Sequence, residues 1–399
     1  MLSLDELDRD KMNTWPVLRL GFRPFFLLGS LYAVLAMLVW MGTYRSWWSA
    51  PMDQLPPITW HAHEMIFGYA LAVVAGFLLT AVKNWTGIQT AYGWRLLLLV
   101  LFWLLARFSA LVDTPFSMVL LIVGDLLFAA MLVYEISWPV VRARKWEQAG
   151  ILAKVVLLGC SSGLFYAGLL GWHEQALYWG LYSGLYLIIG LIITMGRRVI
   201  PFFIERGVDS KIELVNLRFI DVSAIPVFLL FYVLEVFTTF KGLASILALV
   251  LCLFYLVRLR LWHHPDIWKK PLLWSLYLSQ LFITIGFLML GLRLFVDVPG
   301  FLAIHALAYG GIGLVTVGMM ARVAWGHSGR DVFNPPKQLP WVFGLLFAGT
   351  LVRVLLPLVM SHYAMLVLIA QLLWIAAFGV FLWLYMPVFI GPRVDGRFG

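Results

Sequence analysis

Residues 60–82 read WHAHEMIFGYALAVVAGFLLTAV. After Glu64 nothing in this stretch is charged. A helix needs about 20 mostly apolar residues to cross the hydrocarbon core of a bilayer. The run therefore predicts a transmembrane helix with two histidines and a carboxylate at its lip. The same test applied outward finds twelve such runs, broken by charges, Pro and Gly. They centre near Ala33, Ala72, Leu101, Leu126, Leu158, Leu187, Leu229, Val250, Phe287, Gly313, Leu346 and Ala376. Between the third and fourth only Val112–Asp113–Thr114–Pro115 intervenes. Twelve spans of about 22 residues use about 264 of them, so only short loops remain. The expected fold class is all-α: one polytopic transmembrane domain over residues 1–399, with a cytoplasmic N-terminal segment 1–21 and a cytoplasmic tail 391–399.

Composition agrees. Of 399 residues 62% are apolar and 12% charged, whereas soluble domains are nearer half and a quarter. An ordinary soluble enzyme, a disordered chain and a coiled coil are excluded. Cys160 and Cys252 both sit in apolar runs, which excludes a disulfide scaffold, a zinc ribbon or a CxxC redox pair. The N-terminus, MLSLDELDRDKMN, is polar and acidic and reads as no cleavable signal. With the N-terminus inside, Arg45, Arg107, Lys241, Arg293 and Arg353 fall outside and the other 24 of the 29 Lys and Arg fall inside. That asymmetry follows the positive-inside rule and supports an even span count with both termini cytoplasmic. The net charge of +9 thus reports orientation in a lipid bilayer, and no nucleic-acid partner is implied.

Topology sorts the eight histidines by depth. His61 and His63 open the second span on the outer side. His173 lies in an outer loop, His305 about one turn into span ten, and His362 at the start of span twelve. His263, His264 and His327 lie on the inner side. In a regular helix His61 and Glu64 share a face and His63 points roughly opposite, so the two imidazoles cannot hold one metal. They serve two sites, or one ligates while the other orients; interfacial His that snorkel to headgroups are the bland alternative. On span ten, His305, Tyr309, Thr316, Met320 and His327 fall within about 60° of one another on an ideal helix. Gly310, Gly311, Gly313 and Gly318 accompany them. This stripe is either a packing seam that admits a neighbouring helix or a cofactor wall. His305 and His327 are about 33 Å apart and share no site. His61 or His63 with His305 gives two imidazoles at similar depth, which is what a bis-histidine haem needs. Imidazole also suits copper, with Met320 or Met65 as soft ligands. No CxxCH occurs, so covalent c-type haem is excluded.

Other polar groups sit within the spans. Arg107 with Asp125 reads as an ion pair between helices, structural or part of a proton path. Tyr178, Tyr182 and Tyr186 share a face of span six. Arg197 and Arg198 could hold haem propionates bidentately or anchor the helix to anionic headgroups. No Walker loop, GxGxxG, GxSxG or HExxH appears, so a nucleotide-driven pump or hydrolase has no support.

At these residues the sequence resembles the NnrS family of bacterial integral membrane proteins. The matching pieces are Arg19–Phe26 (RLGFRPFF), Trp60–Met65 (WHAHEM), Ala75–Thr80 (AGFLLT) with Asn84–Gly87 (NWTG), and Gly196–Phe203 (GRRVIPFF). They continue with His305, Met319, Met320 and Arg322, then Gly326–Arg330 (GHSGR) and Pro392–Arg397 (PRVDGR). The resemblance implies a multi-pass protein of the bacterial inner membrane, containing haem and copper and tied to nitric oxide, nitrosative stress and denitrification. Lys83 stands where the family tends to have Pro, and Tyr277 where a His is expected in span nine. The layout is also similar to the catalytic subunit of haem-copper oxidases, whose low-spin haem is held by His of helices two and ten. Span seven, from Arg218 to Phe237, contains no His, so the copper-holding His pair of those enzymes has no equivalent here.

The leading expectation is a haem b-binding, and potentially copper-binding, protein of the nitric oxide response. Its cofactor and metal candidates are His61, His63, Glu64 and His305, with Tyr309, Met320, Arg197, Arg198 and His327 around them. It binds nitric oxide or passes electrons from a membrane or periplasmic donor; whether it turns over as an oxidoreductase stays open. Two other classes compete. A secondary transporter would show inverted repeats, yet residues 1–200 and 201–399 show no repeat, and the His motifs no mirrored counterparts. An accessory protein could hand metal to a nitrite or nitric oxide reductase.

Overall fold

The computed structural model describes residues 13–399. Arg9, Lys11 and most of the polar N-terminal stretch lie outside the described residues. Twelve helices follow one another: α1 Phe22–Tyr44, α2 Pro57–Thr86, α3 Gly93–Ser109, α4 Ser117–Arg142, α5 Trp146–Leu169 and α6 Ala176–Gly207. Then come α7 Arg218–Phe237, α8 Lys241–Trp262, α9 Pro271–Leu292, α10 Gly300–His327, α11 Leu339–Leu358 and α12 Tyr363–Ile390. Eleven are long and apolar enough to cross a membrane. The exception, α3, has 17 residues and rises about 25 Å, a little less than the ~30 Å hydrocarbon core. The chain is an all-α, multi-pass membrane protein. The α3–α4 break stands where expected: the Trp60 indole donates to the Ala110 carbonyl (2.7 Å), and the Thr114 amide donates to Ser117 Oγ (3.0 Å).

The helices form two compact units. The first holds residues up to Leu181, Met320–Pro336 and Phe378–Gly399. Here α1 lies against α2, with Phe26 in the space that Gly76 leaves open and the Phe22 amide donating to Thr80 Oγ1 (3.1 Å). Gly124 of α4 meets the backbone of α3 at Ala106, bringing those two helices close. Arg23 is fully buried and ties down the end of α12 by donating to the carbonyls of Val388 (2.8 Å) and Phe389 (3.1 Å).

The second unit holds Tyr182–Met319 and Lys337–Ala377. Its centre is α10 against α9, α11 and α12. The α10 glycines are filled by protein: Gly310 by Phe282, Gly311 by Ile283, Gly318 by Ser275 and Gly313 by Trp374. Small residues admit the neighbouring helices, as a packing seam does.

Three helices contain a π-helical segment. Residues Glu64–Ala70, Ala306–Gly313 and Leu351–Leu355 are wound as π-helix. Turns closed i→i+5 hold more residues than the 3.6 of an α-helix. Side chains beyond them therefore lag behind an ideal 100° spacing, and the single face drawn through His305, Thr316, Met320 and His327 is broken by the second of these segments.

Candidate functional site

The densest cluster of ionisable groups lies within the first unit, at the start of α2. His63 is fully buried, its ring against Phe165 (4.5 Å between ring centres) and Phe67 (5.2 Å). Its Nδ1 faces Glu64 Oε1 at 2.7 Å. Its Nε2 faces the Tyr166 hydroxyl at 3.1 Å and Asp125 Oδ2 at 3.3 Å. Arg107 of α3 bridges the two carboxylates, donating Nη1 to Glu64 Oε2 and Nη2 to Asp125 Oδ1. Tyr32 of α1 donates to the same Glu64 oxygen. Tyr166 of α5 donates to Asp125 Oδ2 at 2.5 Å. All six residues are buried.

The arrangement fixes the protonation that suits it. Ionised carboxylates only accept hydrogen bonds, so a ring with a carboxylate oxygen before each nitrogen is served best as a doubly protonated donor. His63 and Arg107 then carry two positive charges against the two negative ones of Glu64 and Asp125. A buried cluster is stable only when its charges are paired in this way. Space for the guanidinium comes from Gly68, one turn on in the π-helical segment: a Cβ there would stand 2.8 Å from both Arg107 Nη1 and the Tyr32 ring. The Trp103 indole donates to the Gly68 carbonyl (3.0 Å) and packs edge-on to Tyr32. Groups of this kind inside a span commonly mark proton or ion pathways.

A family model described as NnrS protein matches residues 16–393, nearly the whole chain. The chain belongs to the NnrS family. No curated protein matches it in sequence.

In this NnrS-family chain each of the other predicted residues has contacts of its own. His61 stacks on Trp40 (4.6 Å, interplanar angle 7°). The carboxylate assigned to its face, Glu64, instead serves His63 next door. His305 is half-buried; its Nδ1 lies 2.7 Å from the Phe301 carbonyl and its Nε2 3.3 Å from an Arg353 nitrogen. Tyr309 is buried in the α10 seam, donating to the Ala370 carbonyl (2.8 Å) across the gap left by Gly349. Met320 Sδ accepts from Ser30 Oγ (3.7 Å) in the first unit. His327, also there, lies beside Phe22, and its carbonyl accepts from Arg393 (2.9 Å). Arg197 donates to the Asp221 carbonyl (3.0 Å), while Arg198 is exposed. Tyr277 donates to the Leu259 carbonyl (2.9 Å). Among the described residues no three His, Cys, Asp or Glu side chains are grouped to hold a metal ion. In the tail, the hydrogen bonds and charge of Arg393 hold the Asp395 carboxyl well below the usual carboxylate range.

The Arg107–Asp125 pair was legible in the sequence. Tyr32, Tyr166 and Gly68 were not: each is a lone polar or small residue in an apolar run, with partners between 32 and 103 positions away. The one available hint was that a carboxylate-rich cluster must find further donors.

Proposed function

We propose that this NnrS-family membrane protein serves the nitric oxide response through a non-covalent haem b, which His305 would hold, with the network around His63 as the place where a proton is held. The observation that carries this reading is the tautomer of His305. A carbonyl oxygen only accepts, so Nδ1, facing Phe301, carries the proton; a guanidinium only donates, so Nε2, facing Arg353, is the lone-pair nitrogen. That is the arrangement in which a protein orients a metal-binding imidazole. Arg353 is then the group that must release Nε2. His63 does not fit the ligand role, because both of its nitrogens are engaged by Glu64, Asp125 and Tyr166. For copper the grouped donors are lacking among the described residues, and no step is assigned to it.

Bound haem would supply an iron that takes up nitric oxide or an electron. The chain's own residues do the rest. Phe301 fixes the His305 ring through its carbonyl. Glu64 and Asp125 hold the His63 proton, and Arg107 bridges both carboxylates and keeps them aimed at the ring. Family membership supports the link to nitric oxide.

The test is haem content of detergent-purified protein expressed with excess haem. Wild type and His63→Ala should carry a b-type haem, and His305→Ala should lose it. Haem retained in His305→Ala would remove that residue from the role, and wild type without haem would remove the reading altogether.

A further inference from the structure

We propose that α10–α12 carry a second copy of the α2–α4 cluster, stripped of its two carboxylates, and that this copy seats a small planar monovalent anion on Arg353 and Gln371. The correspondence begins in the sequence. A constant shift of 242 residues pairs Pro57 with Pro299, His63 with His305, Gly68 with Gly310, Gly76 with Gly318, and Gly87 with Gly329. A shift of 246 pairs Arg107 with Arg353 and Asp125–Leu126–Leu127 with Gln371–Leu372–Leu373. The repeat escapes a comparison of residues 1–200 with 201–399 because the duplicated blocks do not start at those points. The histidine without a counterpart has one after all, and the copies are eight spans apart, so they run in the same direction and are not inverted.

Local structure matches at the paired positions. The first helix starts at Pro57 and the second directly after its cap Pro299; each then reaches its histidine and turns π-helical, over Glu64–Ala70 and over Ala306–Gly313. Both Gly87 and Gly329 are left-handed, with φ +70° and +82°. An aromatic ring from another helix of the same unit fills the place of the missing Cβ at Gly68 (Tyr32) and at Gly310 (Phe282). In each unit the arginine touches the cluster histidine or the carboxylate beside it: Arg107 bonds Glu64, and Arg353 lies 3.3 Å from His305.

What differs is charge. In the first unit Arg107 sits between Glu64 and Asp125. The equivalent residues in the second are Ala306 and Gln371. Arg353 instead lies over the rings of Phe301 and Tyr363 (5.7 and 5.4 Å). Gln371 is 4% exposed, and neither its amide nitrogen nor its amide oxygen has a hydrogen-bond partner. A buried amide left this way is costly, because its desolvation is not repaid by any partner. Its neighbour Ala370 receives the Tyr309 hydroxyl, one turn along α10 from His305, and that hydroxyl sits against Gly349, one turn along α11 from Arg353. Side chains lean toward the N-terminal end of their helix, so Gln371 leans toward the end of α12 where Arg353 lies. A planar anion that accepts from the guanidinium fork and from the Gln371 amide restores, from solution, the negative charge that Asp125 provides in the first unit.

The assay is binding to haem-free protein in detergent, by calorimetry and by thermal midpoint, so its failure is separable from that of the haem reading. Formate and nitrate are the probes, with chloride as a spherical control that cannot bridge the two donors. Wild type should gain stability in proportion to the logarithm of formate or nitrate concentration. Gln371→Asp, which builds the carboxylate of the first unit into the second, should abolish that gain. Arg353→Lys, which keeps the charge but loses the fork, should weaken binding at least about tenfold. Stabilisation by formate alone would assign a carboxylate, and by nitrate alone an inorganic oxyanion. No response in wild type, an equal response to chloride, or an undiminished response in either variant overturns the proposal.

Discussion

Arg107 is the cation on which the buried network turns, and replacing it with Met gives the sharpest test of that network. The substitution keeps an unbranched apolar stem of similar reach and deletes the charge. Two charge-assisted hydrogen bonds disappear, to Glu64 and to Asp125. At about 1.5–3 kcal/mol each the loss is about 3–6 kcal/mol. The cost of breaking a buried ion pair by removing one partner, about 3–5 kcal/mol, falls in the same range. Both carboxylates remain buried with one imidazolium between them, so the cluster is left with an uncompensated negative charge. Equilibrium unfolding in mixed micelles, titrated with a denaturing detergent, reads the change. The triple variant Arg107→Met, Glu64→Gln, Asp125→Asn removes these three charges, and His63, with no ionised carboxylate beside it, gives up its proton; the cluster is then neutral and should recover part of the loss, because it does not carry the penalty of an orphaned ion. A cost below about 1 kcal/mol for Arg107→Met, the range of an exposed pair, would refute the reasoning.

Three further outcomes follow from the same geometry. Gly68→Ala should cost about 1–3 kcal/mol, the range of overpacking, because its Cβ meets the Arg107 guanidinium and the Tyr32 ring; the same unfolding assay checks it, and a neutral result would mean that the space at Gly68 is not what admits the guanidinium. Tyr166→Phe removes a donor to Asp125 and should cost about 1–3 kcal/mol while leaving haem content unchanged; loss of haem would contradict the proposal that His305, and not the His63 network, holds the haem. In the tail, Asp395 has a folded pKa below its unfolded value, so its contribution is present above the unfolded pKa and is lost only as pH falls through the folded one. Hydrogen-exchange protection of the Val394 amide, which donates to Ser328 (3.1 Å), should therefore hold from neutral pH down to about pH 4, and early loss between pH 7 and 5 would contradict the assignment.

The architecture was legible because apolar run length is a direct physical demand of the bilayer; even the narrow break at Asp113–Pro115 was placed correctly. The Arg107–Asp125 contact was legible for a related reason, since intramembrane charges must find partners. The geometry within the spans was less so. Face assignments assumed 100° per residue, and the π-helical segments after His63 and His305 defeat that assumption. Tyr32 and Tyr166 join the cluster through tertiary packing, which leaves no periodic trace. The duplication was obscured because it is carried mainly by spaced glycines, one histidine and one arginine in a background where nearly every residue is apolar.

The central claim is that an imidazole of this NnrS-family chain holds a haem that answers nitric oxide. Its most direct test is the optical spectrum of dithionite-reduced, detergent-purified protein before and after nitric oxide is added, in wild type and in His305→Ala. The account predicts a b-type spectrum that shifts on addition of the gas in wild type and is missing in His305→Ala. A wild-type spectrum that nitric oxide leaves unchanged, or one identical in the variant, would contradict it.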